Sequence, residues 1–573
     1  MGVGVAGGGG VPPGIMAVPT SGTTVLTWAV AAPPPGPGGQ PTGRQPERKI
    51  STQRVSANRF IGILLTSVKE RNPLPMQFRR SAGQKDPIEG GQISVDGAGS
   101  TQIQPDCDKI FLSFICVHQS LHSYMGDTAM PQATFTFPAG FLWGTATSSH
   151  QVEGSNTNNN WYFWENQPGR ILNNHRSGAA CDWWRGRWRD DFDRARETSQ
   201  NAHRLSLEWS RIQPAPDRWN EDALDVYREM LRGLYHRGMT PVVTLHHFSD
   251  PLWLYEQGGW EHPDAPARFE AYVRKAVEAL REFTTYWVTI NEPNVYIYNG
   301  YLGRGEFPPG KNDRGAAFRV MVNMVRGHAL AYRAIKAIQK ESRVGLAMHY
   351  RGFEPAHPGL AVDRWVADGL TRNFNAAFLD ALRDGRLRFI LGGARIPEAV
   401  GTQDFVGLNY YTTDRVAFNL LNPMELFSKR TPPPGAPLSD GEFIAHVPAG
   451  MGRMIAWAKN RYGLPMIITE NGVNDANDRL RPRYLVEHLH QVWRAIQWNW
   501  PVKGYFHWSL VDNFEWERGW TQRFGLWGLD VDTQARIRRP SVDLYAAICK
   551  ENAISSETVA RYAPDALEKL FPG

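Results

Sequence analysis

Six short polar clusters in this 573-residue chain each follow a short apolar run. They are His150-Gln151, His246-His247, Asn291-Glu292-Pro293, Asn409-Tyr410-Tyr411, Glu470-Asn471-Gly472, and Trp508 leading into Asp512-Asn513-Phe514-Glu515-Trp516. Amides and carboxylates make paired hydrogen bonds to neighbouring hydroxyls, and indole rings stack on the C–H faces of pyranose rings. That set suits a neutral polyol. Two glutamates, Glu292 and Glu470, dominate it. A pair of carboxyls can cleave an acetal. One protonates the leaving oxygen, and the other attacks the carbon when the gap is about 5–5.5 Å or activates a water when it is larger. Spacing along the chain leaves that gap open. No grouping of His and carboxylates specifies a metal site and no Gly-rich loop offers a phosphate cradle, so no metal and no cofactor is expected. Any one of these residues also reads as a strand-end cap or a satisfied buried polar group. Six clusters of the same chemistry point to a site.

Something must bring them together. The apolar runs are Phe141–Ser148, Ala202–Trp209, Pro241–Phe248, Trp287–Asn291, Val344–His349, Phe405–Tyr411, Met466–Thr469 and Val502–Leu510. Between them lie stretches with apolar residues at three- and four-residue spacing: Asp222–His236, Ala265–Phe283, Ala316–Lys340, Ala361–Arg383, Gly450–Arg461 and Tyr484–Trp498. Strands alternating with helices predict an α/β fold with a parallel sheet, and eight strands close a (β/α)8 TIM barrel. An open doubly wound sheet is the alternative, but no dinucleotide fingerprint follows the first run. In a barrel the C-terminal strand ends converge on one mouth, with the fourth and seventh facing each other across it.

Composition bounds the rest. Trp is abundant, at 21 residues, which fits either core packing or a sugar site. The net charge is +6, with +3 on residues 1–129 and +3 on the remainder. Neither part holds a dense basic cluster interleaved with aromatics, so nucleic acid is not an expected partner. The four cysteines, Cys107, Cys116, Cys181 and Cys549, form no CxxC pair. They read as reduced thiols of a cytoplasmic protein. No apolar run nears the ~20 residues of a membrane span, and the start lacks a signal-peptide pattern. Residues 1–130 form a separate region. Gly7–Gly14 and Pro33–Pro41 are Gly/Pro-rich, and the apolar stretch Ile110–Val117 is only eight residues long. Such a segment buries too little to offset chain entropy, so it is expected to be largely disordered. Met125 or Met130 is an alternative natural start. The catalytic domain is expected over residues 131–573.

From about Phe135 to about Asn552 the chain resembles glycoside hydrolase family 1, the β-glucosidases and β-galactosidases. The matching segments are FPAGFLWGTATSSHQVEG from Phe137, RLSLEWSRI from Arg204, VTLHHFSDPLWL from Val243, WVTINEPN from Trp287, FVGLNYY from Phe405, IITENG from Ile467 and HWSLVDNFEWERGWTQRFGL from His507. The resemblance implies a retaining β-glycosidase acting through a covalent glycosyl-enzyme. It implies β-glucosides and short β-linked oligosaccharides as substrates. Glu292 is then the acid/base and Glu470 the nucleophile. Gln151, His247, Asn291, Glu515 and Trp516 bind the non-reducing sugar, and Trp508 is its stacking floor. Tyr411 and Arg204 orient Glu470, and their donors are expected to keep it ionised. Oligomeric state is left open.

Some positions depart from the family pattern. Phe248 stands where Trp is frequent after the histidine pair, and Asn294 where Trp often follows NEP. Asn294 and the segment GYLGRGEFPPG from Gly300 resemble archaeal-type members. These changes bear on the acceptor side. Glu292 is present where the plant thioglucosidases have Gln, which favours an O-glycosidase. A non-catalytic sugar-binding barrel would lack one or both glutamates, and both are here. A transglycosidase would use the same residues. In the family, Glu515 faces O4 and O6 of the sugar. A carboxylate there repels a 6-phosphate, so unphosphorylated β-glucosides are expected, with β-galactosides and β-fucosides accepted. The competing reading is that Glu515 pairs with Arg518 or Arg523.

Overall fold

Eight short runs rich in Val, Ile and Leu have nowhere to bury both faces except inside a covered parallel sheet. The computed structural model describes residues 133–572 other than 304 and 391. In it these runs become β1 (Leu142–Ala146), β2 (Ala202–Ser206), β3 (Thr240–His246), β4 (Tyr286–Asn291), β5 (Arg343–Pro355), β6 (Phe405–Phe418), β7 (Met466–Asn471) and β8 (Val502–Trp508). Each pairs in parallel with its neighbours, and β8 pairs with β1. The eight-stranded parallel barrel is therefore closed, and the open-sheet alternative falls. The expected extension over residues 1–130, its apolar stretch, the alternative starts Met125 and Met130, and Cys107 and Cys116 lie outside the described residues. Cys181 and Cys549 are buried and form no disulfide.

The barrel interior is lined by small and branched side chains, among them Ala146, Ala202, Val242, Val288, Ala347 and Ile467, together with Phe405 and Phe506. Gly345 shows how tight the lining is. A Cβ there would lie 2.6 Å from the Phe405 carbonyl oxygen. The larger core lies between the barrel and its helices: α1 (Trp188–Glu197), α2 (Glu221–His236), α3 (Ala265–Leu280), α4 (Arg314–Ile338), α5 (Ala377–Asp384), α6 (Pro448–Tyr462), α7 (Arg481–Gln497) and α8 (Ser541–Glu551). Their starts follow capping chemistry. Asn220 accepts from the Ala223 amide at the start of α2, and Asp313 accepts from the amides of Gly315 and Ala316 at the start of α4. On α2 the buried face is Leu224, Tyr227, Leu231 and Leu234, at the expected spacing. Among the described residues, no helix is long and apolar enough to cross a membrane.

Two expectations change. The helix predicted over Ala361–Arg383 is broken by a wider π turn at Thr371–Ala376 between Ala361–Leu370 and α5. Within the turn, Thr371 and Asn373 hydrogen-bond back to the carbonyls of Ala367 and Gly369. Asn375 bonds both backbone groups of Arg351 on β5, which ties the turn to the barrel rim. Strands β5 and β6 also run beyond the barrel, pairing as far as Pro355 and Val416, and Ser428–Thr431 adds antiparallel to β6. This ribbon rises beside the mouth.

Candidate active site

Regular strands would not aim the two glutamates well, and neither strand stays regular. The pairing of β4 with β5 shifts register between Val288 and Asn291, and that of β7 with β6 shifts between Ile468 and Glu470. Such bulges turn a side chain at a strand end. Glu292 then takes a left-handed backbone, φ 43°, ahead of Pro293, which opens the short helix Pro293–Ile297. Phe248 (φ 68°) and Trp516 (φ 48°) are left-handed as well. A non-glycine residue in this region costs of order 1–3 kcal/mol, which the surroundings must offset. After Glu470 the chain needs a glycine. A Cβ on Gly472 would lie 2.0 Å from the Trp508 carbonyl oxygen.

Arg204, fully buried on β2, organises the polar centre. Its Nη1 donates to Glu470 Oε1 at 2.6 Å and to the Thr469 carbonyl at 3.2 Å. Its Nη2 donates to Asn291 Oδ1 at 2.6 Å, and its Nε to Thr244 Oγ1 at 3.1 Å. A guanidinium only donates, so the Asn291 atom facing it is the oxygen. The Asn291 amide nitrogen must then donate to His247 Nε2, 3.1 Å away. Burial, then Arg204 and His246, hold the His247 pKa well below its usual value, so the ring is neutral and carries its proton on Nδ1. That atom has no partner among the described residues.

The amide chain continues to Glu292. Asn409 Nδ2 donates to Asn291 Oδ1 at 3.1 Å and to Glu292 Oε1 at 2.7 Å. His349 Nδ1 lies 3.0 Å from the same Oε1. Glu292 Oε2 has no hydrogen-bond partner among the described residues. Glu470 differs, because Arg204 holds Oε1 and the Tyr411 hydroxyl donates to Oε2 at 2.7 Å.

The sugar-binding candidates complete the ring. Gln151 Nε2 donates to Asn513 Oδ1 (2.9 Å), to the Phe514 carbonyl (3.0 Å) and to Glu515 Oε2 (3.2 Å). His247 stacks on Trp508 at 5.9 Å and on Trp516 at 6.0 Å. Trp516 also meets Trp161 at 4.7 Å and Phe248 at 5.1 Å. All ten residues singled out in the sequence thus belong to one contiguous network in the barrel mouth. Arg518 pairs with Glu517, and the carboxylate paired with Arg523 is Asp512, so neither arginine forms an ion pair with Glu515, although the Arg518 charge acts against its raised pKa. Sequence reasoning assigned no role to Asn409 or His349. Both carried a signal. Asn409 shares a strand face with Tyr411, and His349 shares one with the barrel-lining Ala347.

The electrostatics correct one expectation. The donors of Arg204 and Tyr411 favour the ionised Glu470, but burial outweighs them and, with Glu292 nearby, raises its pKa to about 7. Glu515 is raised further, to about 8, by burial first and then by Glu517 and Glu470. Burial also keeps the Tyr411 hydroxyl protonated far into alkaline pH, so it remains a donor.

Two carboxyls in one closed-barrel mouth, ringed by amides and indoles, form the kind of site that cleaves glycosidic bonds. Residues 133–554 match the sequence model of glycosyl hydrolase family 1, and the chain belongs to that family. It is a β-glycosidase. β-Glucosidase A of Thermotoga maritima is 34% identical over 446 residues, covering 73% of this chain and 98% of that protein. A β-galactosidase of Saccharolobus solfataricus is 31% identical over 488 residues, covering 74% and 97%. The solved structure of a β-glycosidase from Pyrococcus horikoshii superposes with a TM-score of 0.70 at 36% identity, covering 75% of this chain and 98% of that one.

Proposed function

We propose that the enzyme hydrolyses terminal non-reducing β-D-glucosyl residues with retention, Glu470 acting as nucleophile and Glu292 as acid/base, and that β-galactosyl and β-fucosyl residues are also accepted. The observation that carries this reading is the unequal holding of the two carboxyls. Glu470 is gripped at both oxygens, by the Arg204 guanidinium and the Tyr411 hydroxyl. Glu292 is held at one oxygen only, by Asn409 and His349, with Oε2 left for a substrate. A nucleophile needs a fixed carboxylate, and an acid needs a free O–H.

In the first step Glu470 attacks the anomeric carbon, the glycosidic C–O bond breaks, and the leaving oxygen takes the proton of Glu292. Esterification removes the charge on Glu470, so a carboxylate at Glu292 no longer faces a like charge. Glu292 then takes a proton from the incoming water, which attacks the anomeric carbon and releases Glu470. His247 Nδ1, Asn291, Gln151 and Glu515 supply the hydroxyl contacts, with Trp508 beneath the ring and Trp516 beside it. Residues 131–573 suffice for this chemistry, and residues 1–130 take no part in it.

Two variants and one product analysis test the reading. E470A should lose nearly all turnover on every aryl β-glucoside. E292A should keep far more kcat/KM on 2,4-dinitrophenyl than on phenyl β-glucoside, because the better leaving group needs no proton. NMR of the unmodified enzyme should show the β-anomer of glucose forming first. An α-anomer, or equal leaving-group dependence in E292A and the parent, would overturn it.

A further inference from the structure

We propose that His349 is the positioning residue of the acid/base carboxyl, fixing which oxygen of Glu292 carries the transferable proton. The inference rests on the acid/base reading of Glu292.

His349 lies on β5 two residues after Ala347, which lines the barrel interior. Period-two alternation keeps His349 on that inner face, one step nearer the mouth. In register it stands opposite Asn409 on β6. The two side chains converge on Glu292 Oε1, from 3.0 Å and 2.7 Å. The Asn409 atom facing Oε1 is its nitrogen, because that atom also serves Asn291 Oδ1, whose identity Arg204 sets. With Asn409 donating to it, Oε1 acts as the carbonyl oxygen of the acid, and a hydrogen on His349 Nδ1 adds the second donor that a carbonyl accepts. The hydroxyl is then left to Oε2.

The ring is held where this requires. It stacks on Tyr411, the partner of Glu470, at 5.8 Å and an interplanar angle of 13°. Its backbone carbonyl accepts from Asn294 Nδ2 at 2.9 Å, and the same amide nitrogen reaches the Phe374 carbonyl at 3.1 Å. Asn294 is the second residue of the helix Pro293–Ile297, two residues after Glu292, so it clamps the β5 end to the segment that carries the carboxyl. This gives the departure at Asn294 a function. Once the proton leaves Oε2, the same two donors face a carboxylate, and such charge-assisted bonds are stronger. His349 therefore supports the charge that develops on Glu292 as the leaving group departs.

The test uses the full-length enzyme and kcat/KM, which reports the first chemical step, across aryl β-glucosides from 2,4-dinitrophenyl to phenyl. H349F keeps the ring shape and its stacking on Tyr411 but removes the donor. It should lose about tenfold more on the phenyl than on the dinitrophenyl substrate. H349N places an amide nitrogen where Nδ1 stood and should recover most of that loss. An equal loss across the series, or an H349N no better than H349F, overturns the proposal. E292A in the same series separates the two readings. If E292A shows no steeper leaving-group dependence than the parent, the acid/base assignment falls. If E292A is steep while H349F is flat, only the His349 proposal falls.

Discussion

Substituting Tyr411 by Phe deletes one hydroxyl and little else. The ring keeps its stacking on His349 and its edge contact with Phe524, so the change isolates the 2.7 Å hydrogen bond to Glu470 Oε2. That bond favours the ionised carboxyl, and with Arg204 it opposes the burial that raises Glu470 to about 7. A hydrogen bond to a charged acceptor is worth about 1.5–3 kcal/mol and one to a neutral acceptor about 1, so the difference amounts to roughly one pH unit. The sign is definite. Losing a donor that stabilises the anion raises the pKa, so the acid limb of kcat/KM moves to higher pH. At about pH 6 the variant should lose roughly tenfold more kcat/KM, relative to the parent, than at about pH 9, where Glu470 is ionised in both enzymes. The assay is a pH profile of kcat/KM on 2,4-dinitrophenyl β-glucoside, which needs no protonation and so reports the nucleophile. A uniform fall at every pH, with the limb unmoved, would refute the claim that the hydroxyl tunes Glu470.

Two further outcomes follow from the same structure. E515S removes the carboxylate that Gln151 holds beside the pocket, and should lower kcat/KM by roughly 10²–10³ on β-glucosides and β-galactosides but about tenfold less on β-fucosides, which have no O6 contact to lose; equal losses on all three sugars, measured with p-nitrophenyl glycosides, would refute it. A chain beginning at Met130 should fold and keep the kcat and KM of the full chain, and insolubility or a large fall in kcat would instead give residues 1–129 a structural role.

Much of this was legible because it depends on periodicity. The eight apolar runs all overlap barrel strands, since a parallel strand buried on both faces reads as a short run of mainly apolar residues. Six of the outer helices followed from three- and four-residue spacing. α1 escaped notice because its apolar positions, Trp188, Phe192 and Ala195, are few among charges. The π turn at Thr371–Ala376 was hidden because its cause is tertiary. Asn375 must reach the backbone of Arg351, which is distant in sequence. The strand ends nominated nine side chains, and the resemblance added Arg204; the structure brings all ten together, because chain order and barrel closure together decide which ends meet. They could not reveal that burial outweighs two donors at Glu470, which depends on how completely the mouth excludes water.

The site is built against the stability of the fold, and Arg204 is what makes that tolerable. Glu470 and Glu515 titrate above the ordinary carboxylate range, so the stability they permit is full at acid pH and is lost as pH rises through about 7 and about 8, where each must ionise while buried. Phe248, Glu292 and Trp516 add left-handed backbone. A single planar cation answers much of this cost. It neutralises the field at Glu470 and, by donating to Asn291, sets the direction of every amide from His247 to Glu292. A lysine would bring the charge without the fork, leaving Asn291 free to turn over and Asn409 without a fixed partner. The two carboxyls lie on two branches of one hydrogen-bond network that meet at this guanidinium, and so their different environments are a single structural decision rather than two.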